Sequence, residues 1–420
     1  MKRRRTRILL GIGIGVAAVA IAALVVVRTI LLPRYRFPTP NGQFGIGTIT
    51  LHLVDSDREE ILGPNPGGPR ALMAQLWYPA ATDGEARGEY IADAAEVAPA
   101  LAGLFRLPGF TLNNLSGVTT NAVENAPVAG TERFPVVVML SGTGGFRQST
   151  TFLVEHLVSN GFVVVGVDQP FASIAVVFPD GRVAEMSPLE ELRPLVRQSY
   201  MPKEEPPQLN GAPLEHGIIP FLGQDVSFVI DELERLDSDE ANPLAGRLAL
   251  DKIGVAGVSL GGIVAGEVAR EDSRVRATLI MDAAVPLRTA EAGLDAPAMW
   301  ITRPPETMRL ERERAGGWPE EEIEAHHRTM RETFERLRAP GYFVQIPDIS
   351  HIDFTDAPLW APVLGWLGLS GPKDVAYAHG VTEDYTLTFF LRHLAGLEED
   401  TSFARLVEVY PEVSLEIREP

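Results

Sequence analysis

The chain contains no cysteine among its 420 residues. Disulfides, thiolate metal sites, cysteine nucleophiles and a lipid-bearing cysteine are therefore excluded. Basic residues are also scarce: 37 Lys and Arg stand against 56 Asp and Glu, a net charge of −19. Eight of those 37 fall in residues 1–36, which hold no acid, so the remainder is more acidic still. Such a surface repels nucleic acid and offers no groove for a phosphate backbone, so no nucleic-acid partner is expected. There is no internal repeat and no low-complexity block. The 33 prolines and 39 glycines point to many turns rather than to disorder, because apolar runs recur along the whole chain.

What the sequence does have begins at its N-terminus. Lys2, Arg3, Arg4, Arg5 and Arg7 precede Ile8–Val27, a run of 20 residues without a charge. As a helix that run spans about 30 Å, the thickness of a bilayer's hydrocarbon core. The only small-residue cleavage pattern, Ala20-Ile21-Ala22, lies inside the run. A retained transmembrane anchor over 1–32 is therefore expected in preference to a cleaved signal and secretion. The basic flank places the N-terminus in the cytoplasm and the body, 33–420, outside it.

The body alternates strands and helices. Phe134–Leu140 (FPVVVML) and Phe162–Asp168 (FVVVGVD) are continuous apolar runs, as in strands buried on both faces. Gly45–Val54, Ala71–Tyr78, Lys252–Val258, Ala277–Met281, Met299–Ile301 and Tyr342–Ile346 also read as strands. Helical spacing covers 149–160, 218–236, 260–270 and 385–394. Irregular or inserted stretches are expected near 90–130 and 171–217. A third, near 306–340, is a highly charged helical stretch that reads as a solvated face or a lid. This order predicts parallel βαβ units in one large α/β domain.

The sharpest motif is Gly257-Val258-Ser259-Leu260-Gly261. It follows a buried strand and precedes a helix, the setting in which a serine on a tight turn exposes its Oγ. A serine hydroxyl needs a base. Of the eight histidines, His351 alone follows a late strand in a short loop. His156 and His393 fall in helical patterns, while His326 and His327 read as exposed on the charged segment. The acid belongs between serine and histidine in chain order, which leaves Asp282, at a strand end, and Glu306, after the next strand; Asp353 and Asp356 come too late. The glycine-rich turn Ser141–Phe146 sits where backbone N–H groups of Thr143 and Leu260 could face an oxyanion. It lacks a Walker lysine and the dinucleotide spacing. Phe146, Phe171, Phe354 and Trp360 are candidates for an acyl pocket. No metal or organic cofactor is needed for this chemistry.

These residues resemble the platelet-activating-factor acetylhydrolases of the plasma (type II) kind and their bacterial relatives. The likeness covers roughly 40–400 and is carried by FPVVVMLSGTGGFR, LVSNGFVVVGVD, GVSLGG, the LIMDA strand end and SHIDFTD. It implies an α/β-hydrolase fold, a mostly parallel central sheet with helices on both faces, behind the membrane helix. It also implies Asp282 as the acid beside Ser259 and His351, and hydrolysis of short acyl esters of phospholipid-like substrates. Relatives include general esterases and polyester hydrolases; a catalytically inactive binding protein on the same fold is the non-enzymatic alternative.

The anchor is tested by fractionation. The full chain should sediment with membranes and resist alkaline extraction, whereas a chain beginning at Pro33 should be soluble. Recovery of the full-length, uncleaved chain in the soluble fraction would sink the idea.

Overall fold

The computed structural model describes residues 14–19, 21, 34–82, 87–397 and 401–419, with the side chains of 401 and 402 excepted. The expected membrane segment Ile8–Val27 lies largely outside them. Among the described residues no helix is long and apolar enough to cross a membrane.

Ten strands form one sheet: β1 (Gly45–Glu59), β2 (Pro69–Ala80), β3 (Ala122–Glu124), β4 (Phe134–Leu140), β5 (Val163–Asp168), β6 (Leu248–Val258), β7 (Val275–Met281), β8 (Ala298–Thr302), β9 (Gly341–Gln345) and β10 (Ser414–Arg418). Their spatial order is β10-β9-β8-β7-β6-β4-β5-β2-β1-β3. The run from β9 through β5 is parallel throughout; β10, β2 and β1 join antiparallel to their inner neighbours. The helices used below are α1 (Ala94–Leu104), α2 (Thr151–Ser159), α3 (Leu189–Arg197), α4 (Ile219–Ser238), α5 (Leu260–Glu271), α6 (Pro305–Ala315), α7 (Glu320–Glu335) and α8 (Val375–Phe390).

Strand periodicity explains the layering. Successive side chains point to opposite faces, so β4 sends Val137 and Met139 into one core and Val136, Val138 and Leu140 into the other. The first core is closed by α1, α2 and α8 through residues such as Val97, Leu153 and Phe389. The second is closed by α4, α5 and α7 through Val226, Val264 and Met330. A strand buried on both faces must be apolar at every position, which is why FPVVVML and VVVGVD read as unbroken runs.

The expectations differ from the structure in places. The charged stretch near 306–340 is two helices, α6 and α7, because Gly316 (φ 79°) and Pro319 stop one and start the next. The 171–217 excursion is structured, with a hairpin (Ala175–Val177 with Val183–Glu185), α3, and a second small hairpin. β3 and β10 are short edge strands that the sequence pattern did not reveal.

One carboxyl group is held against its preference. Glu383, on α8, lines a cavity beside residues 35–41, and burial, then Asp384 and Asp356, push its pKa up to about 8. The folded chain keeps a proton there that the unfolded chain loses near pH 4.3. Stability from this group therefore falls as pH rises from roughly 4.5 to 8. Glu383→Gln should melt higher than the parent at pH 8 and close to it at pH 5. The same gap at both pH values would contradict the account.

Candidate active site

The site is built at the carboxyl ends of β4, β6, β7 and β9. Ser259 stands between β6 and α5 with φ 56° and ψ −122°, a conformation that L side chains rarely adopt. Its N–H is tied to Met281 O at 2.9 Å. The turn closes only because its neighbours lack side chains. A Cβ on Gly257 would collide with the Gly261 backbone, and one on Gly261 with the carbonyl of Leu140. The sequence motif is thus the local price of bringing α5 down onto β6 and β4.

Asp282 follows β7, also at positive φ (44°), and is fully buried. Its Oδ1 accepts from the Thr302 hydroxyl at 3.0 Å. Its Oδ2 accepts from Arg303 Nε at 2.9 Å and pairs with His351 Nδ1 at 2.6 Å. A carboxylate flanked by Arg303 accepts only, so Nδ1 carries the proton and Nε2 is left as a base. Burial alone would raise the Asp282 pKa, but Arg303 and His351 outweigh it and hold the group well below the usual carboxylate range. Arg303, itself buried, also pairs with Glu311, and Glu311 accepts the His351 backbone N–H at 3.2 Å. The imidazole is therefore fixed from its ring and from its backbone by one connected set of charges.

Ser259 and His351 line the same apolar cavity of about 270 Å³. Its wall includes Leu101, Leu104 and Phe105 from the α1 region, Phe146, Trp360 and Leu369. Of the four aromatic candidates, Phe146 and Trp360 are at this cavity and two are not. Phe354 is buried in the first core, and Phe171, with φ 68°, packs beside Gly63 and the second core. Phe354 lies on a short helical turn just after His351 whose side chain faces inward, and the sequence spacing alone could not show this. Glu306, the rival acid, is an exposed first-turn residue of α6.

The turn after β4 lies across from Ser259. Gly144 N–H is bonded to Ala172 O at 3.0 Å and Gly145 N–H to Gly142 O at 2.9 Å. No hydrogen bond occupies the Thr143 N–H among the described residues. Leu260 opens α5, where an N–H has no carbonyl one turn back. Thr143, Ser259, Leu260 and His351 also line a second, smaller cavity.

Three residues of this site were not foreseen. Arg303 and Glu311 had no signal beyond following a strand. His326 did: it shares an i, i+3, i+7 stripe with Ile323 and Met330, the buried face of α7. It is buried, against the expectation of exposure, and His327 is half-buried. The charge density of the segment masked this stripe.

Arg303→Gln would leave two buried or half-buried carboxylates without their cation. A loss of about 3–5 kcal/mol of stability is expected, as for other broken buried ion pairs. Denaturant melts read it directly, and a loss below about 1 kcal/mol would mean that the pair is not holding the site.

Comparison with known proteins agrees with this architecture. Residues 31–202 match the family model described as platelet-activating factor acetylhydrolase, isoform II. That stretch ends before Ser259. The platelet-activating factor acetylhydrolase of Canis lupus familiaris is 26% identical over 259 residues, covering 59% of this chain and 55% of that protein. The chain thus matches about half the length of this curated relative. Among solved structures, a ferulic acid esterase from Streptomyces cinnamoneus aligns over 91% of this chain and 99% of its own, at 28% identity and a TM-score of 0.69. Over part of its length, then, the chain is similar to the platelet-activating factor acetylhydrolase, isoform II, family.

Proposed function

We propose that the protein is a serine carboxylic-ester hydrolase that releases short acyl groups, with phospholipid-like esters among its substrates. One observation carries the reading: Ser259, on a strained strand-to-helix turn, lines a cavity with a histidine whose Nδ1 is bound to a buried, ionised aspartate. The family match and the acetylhydrolase relative favour short acyl groups and a phospholipid-like alcohol. The ferulic acid esterase neighbour favours a second reading, a general esterase with a broader range of alcohols. The N-terminal apolar segment suits a body held at a membrane surface outside the cytoplasm.

The chemistry is a two-step acyl transfer. His351 Nε2 takes the Ser259 proton as Oγ attacks the ester carbonyl carbon. The carbonyl oxygen gains negative charge and turns toward the N–H groups of Thr143 and Leu260. Asp282 keeps the imidazole in the correct tautomer and stabilises its charged form without taking the proton. The imidazolium then protonates the departing alcohol oxygen, and the C–O bond breaks. Water, deprotonated by the same histidine, attacks the acyl-enzyme; the acid leaves and the serine proton returns. The acyl chain rests in the apolar cavity against Phe146, Leu104 and Trp360.

The test is turnover of p-nitrophenyl acetate, butyrate and palmitate and of a short-chain sn-2 phospholipid. Ser259→Ala should lower turnover by on the order of 10⁶. Asp282→Asn should lower it by about 10⁴ with the fold intact. Turnover that survives Ser259→Ala would remove Ser259 as the nucleophile, and no turnover from folded protein would remove the enzymatic reading. Turnover of simple esters without the phospholipid would favour the general esterase.

A further inference from the structure

Ser259 borders two cavities of different character. They share Thr143, Ser259 and His351, and otherwise draw on different parts of the chain. The second, of about 220 Å³, is completed by Leu260 and Ile263, by Tyr200 and neighbouring residues of the α3 segment, and by Trp318, Glu322 and His326.

Its wall holds polar groups that the fold does not satisfy. His326 is 4% exposed. Its ring packs on Trp318, centroids 4.4 Å apart, and edge-on to Tyr200 at 5.4 Å. Burial, outweighing the attraction of Asp282, brings its pKa down to about 3, so the ring is neutral with one N–H and one bare nitrogen. Its Nδ1 has no hydrogen-bond partner among the described residues. Glu322, one turn earlier on the same face of α7, accepts from the Tyr200 hydroxyl at 2.8 Å through Oε1. Its Oε2 lies 3.3 Å from Arg197 but accepts no hydrogen bond. Buried polar groups are nearly always paired, so an unpartnered ring nitrogen on the wall of a cavity that also holds Ser259 suits a ligand's polar atom.

The division of labour follows from the chemistry. The apolar cavity suits an acyl chain. The alcohol oxygen must lie at His351, which protonates it; with the acyl chain in the apolar cavity, the rest of the alcohol extends into the other, more polar one. We infer that the second cavity is the alcohol subsite, and that His326, with Glu322 behind it, binds a hydroxyl on the carbon next to the ester-bearing carbon. The preferred alcohols are then vicinal polyols, glycerol-like or sugar-like. This rests on Ser259 acting as the nucleophile.

The experiment compares 2-hydroxyethyl butyrate with propyl butyrate, which differ by a hydroxyl in place of a methyl group. The full chain should favour the hydroxy ester in kcat/KM by about tenfold, the size of one buried neutral hydrogen bond. His326→Phe keeps the ring packing and should bring the ratio close to one. A parent ratio near one, or a His326→Phe that slows both esters equally, overturns the inference. If His326→Phe fails to fold in a thermal melt, His326→Asn and His326→Gln decide. One of the two, with its amide in place of the lost ring nitrogen, should keep the ratio and the other lose it; equal ratios overturn the proposal. Ser259→Ala separates the two readings. Hydrolysis that survives it removes the nucleophile itself, whereas Ser259-dependent hydrolysis without a hydroxyl preference removes only the alcohol subsite.

Discussion

Everything at this site depends on how closely α5 approaches the ends of β4 and β6. The backbone of Gly261 lies against the carbonyl of Leu140, and Gly257 lies under Gly261, with no room for a methyl group at either place. This approach forces Ser259 into positive φ and lifts its side chain out of the sheet. It also brings the first turn of α5 close to the turn after β4, where Gly142 lies against Ser259. The strain at Ser259 is held by the two buried cores on either side of the sheet, each of which packs the strands that meet there.

A second constraint is electrostatic. A fully buried carboxylate is unfavourable unless paired, and Asp282 is paired three ways: with a hydroxyl, a guanidinium and an imidazole. The guanidinium is buried as well and shared with Glu311, which returns to the backbone of His351. This ring of contacts ties the ends of β7, β8 and β9 together. It also explains why the strand after Asp282 ends in Thr302-Arg303: both side chains turn back onto the carboxylate.

The central sheet was legible because its strands are buried on both faces and so cannot hide among polar residues. β4, β5, β6, β7, β8 and β9 all read from apolar runs, to within a few residues at each end. The edges were not legible, since β3 and β10 are short, half-solvated and held by pairing rather than by composition. Ser259 was legible from its glycine-flanked motif and His351 from the rule that loops at the carboxyl ends of parallel strands converge, whereas that rule left Asp282 and Glu306 open and only the family resemblance favoured Asp282. The pocket was harder. Phe354 and Phe171 are aromatic and near the motifs in sequence, yet their side chains face the packed interior. His326 was concealed by the opposite bias, an apolar stripe of α7 embedded in a segment crowded with Glu and Arg.

The two cavities meet at only three residues, and their walls come from separate stretches of the chain. Residues 90–105 and 352–369 shape one; residues 189–200 and 318–326 shape the other. None of these stretches is a central strand, so their lengths and side chains can drift without disturbing the sheet that sets the reacting atoms. On the proposed reading, a change in one pair of stretches would reshape one cavity and leave the wall of the other in place.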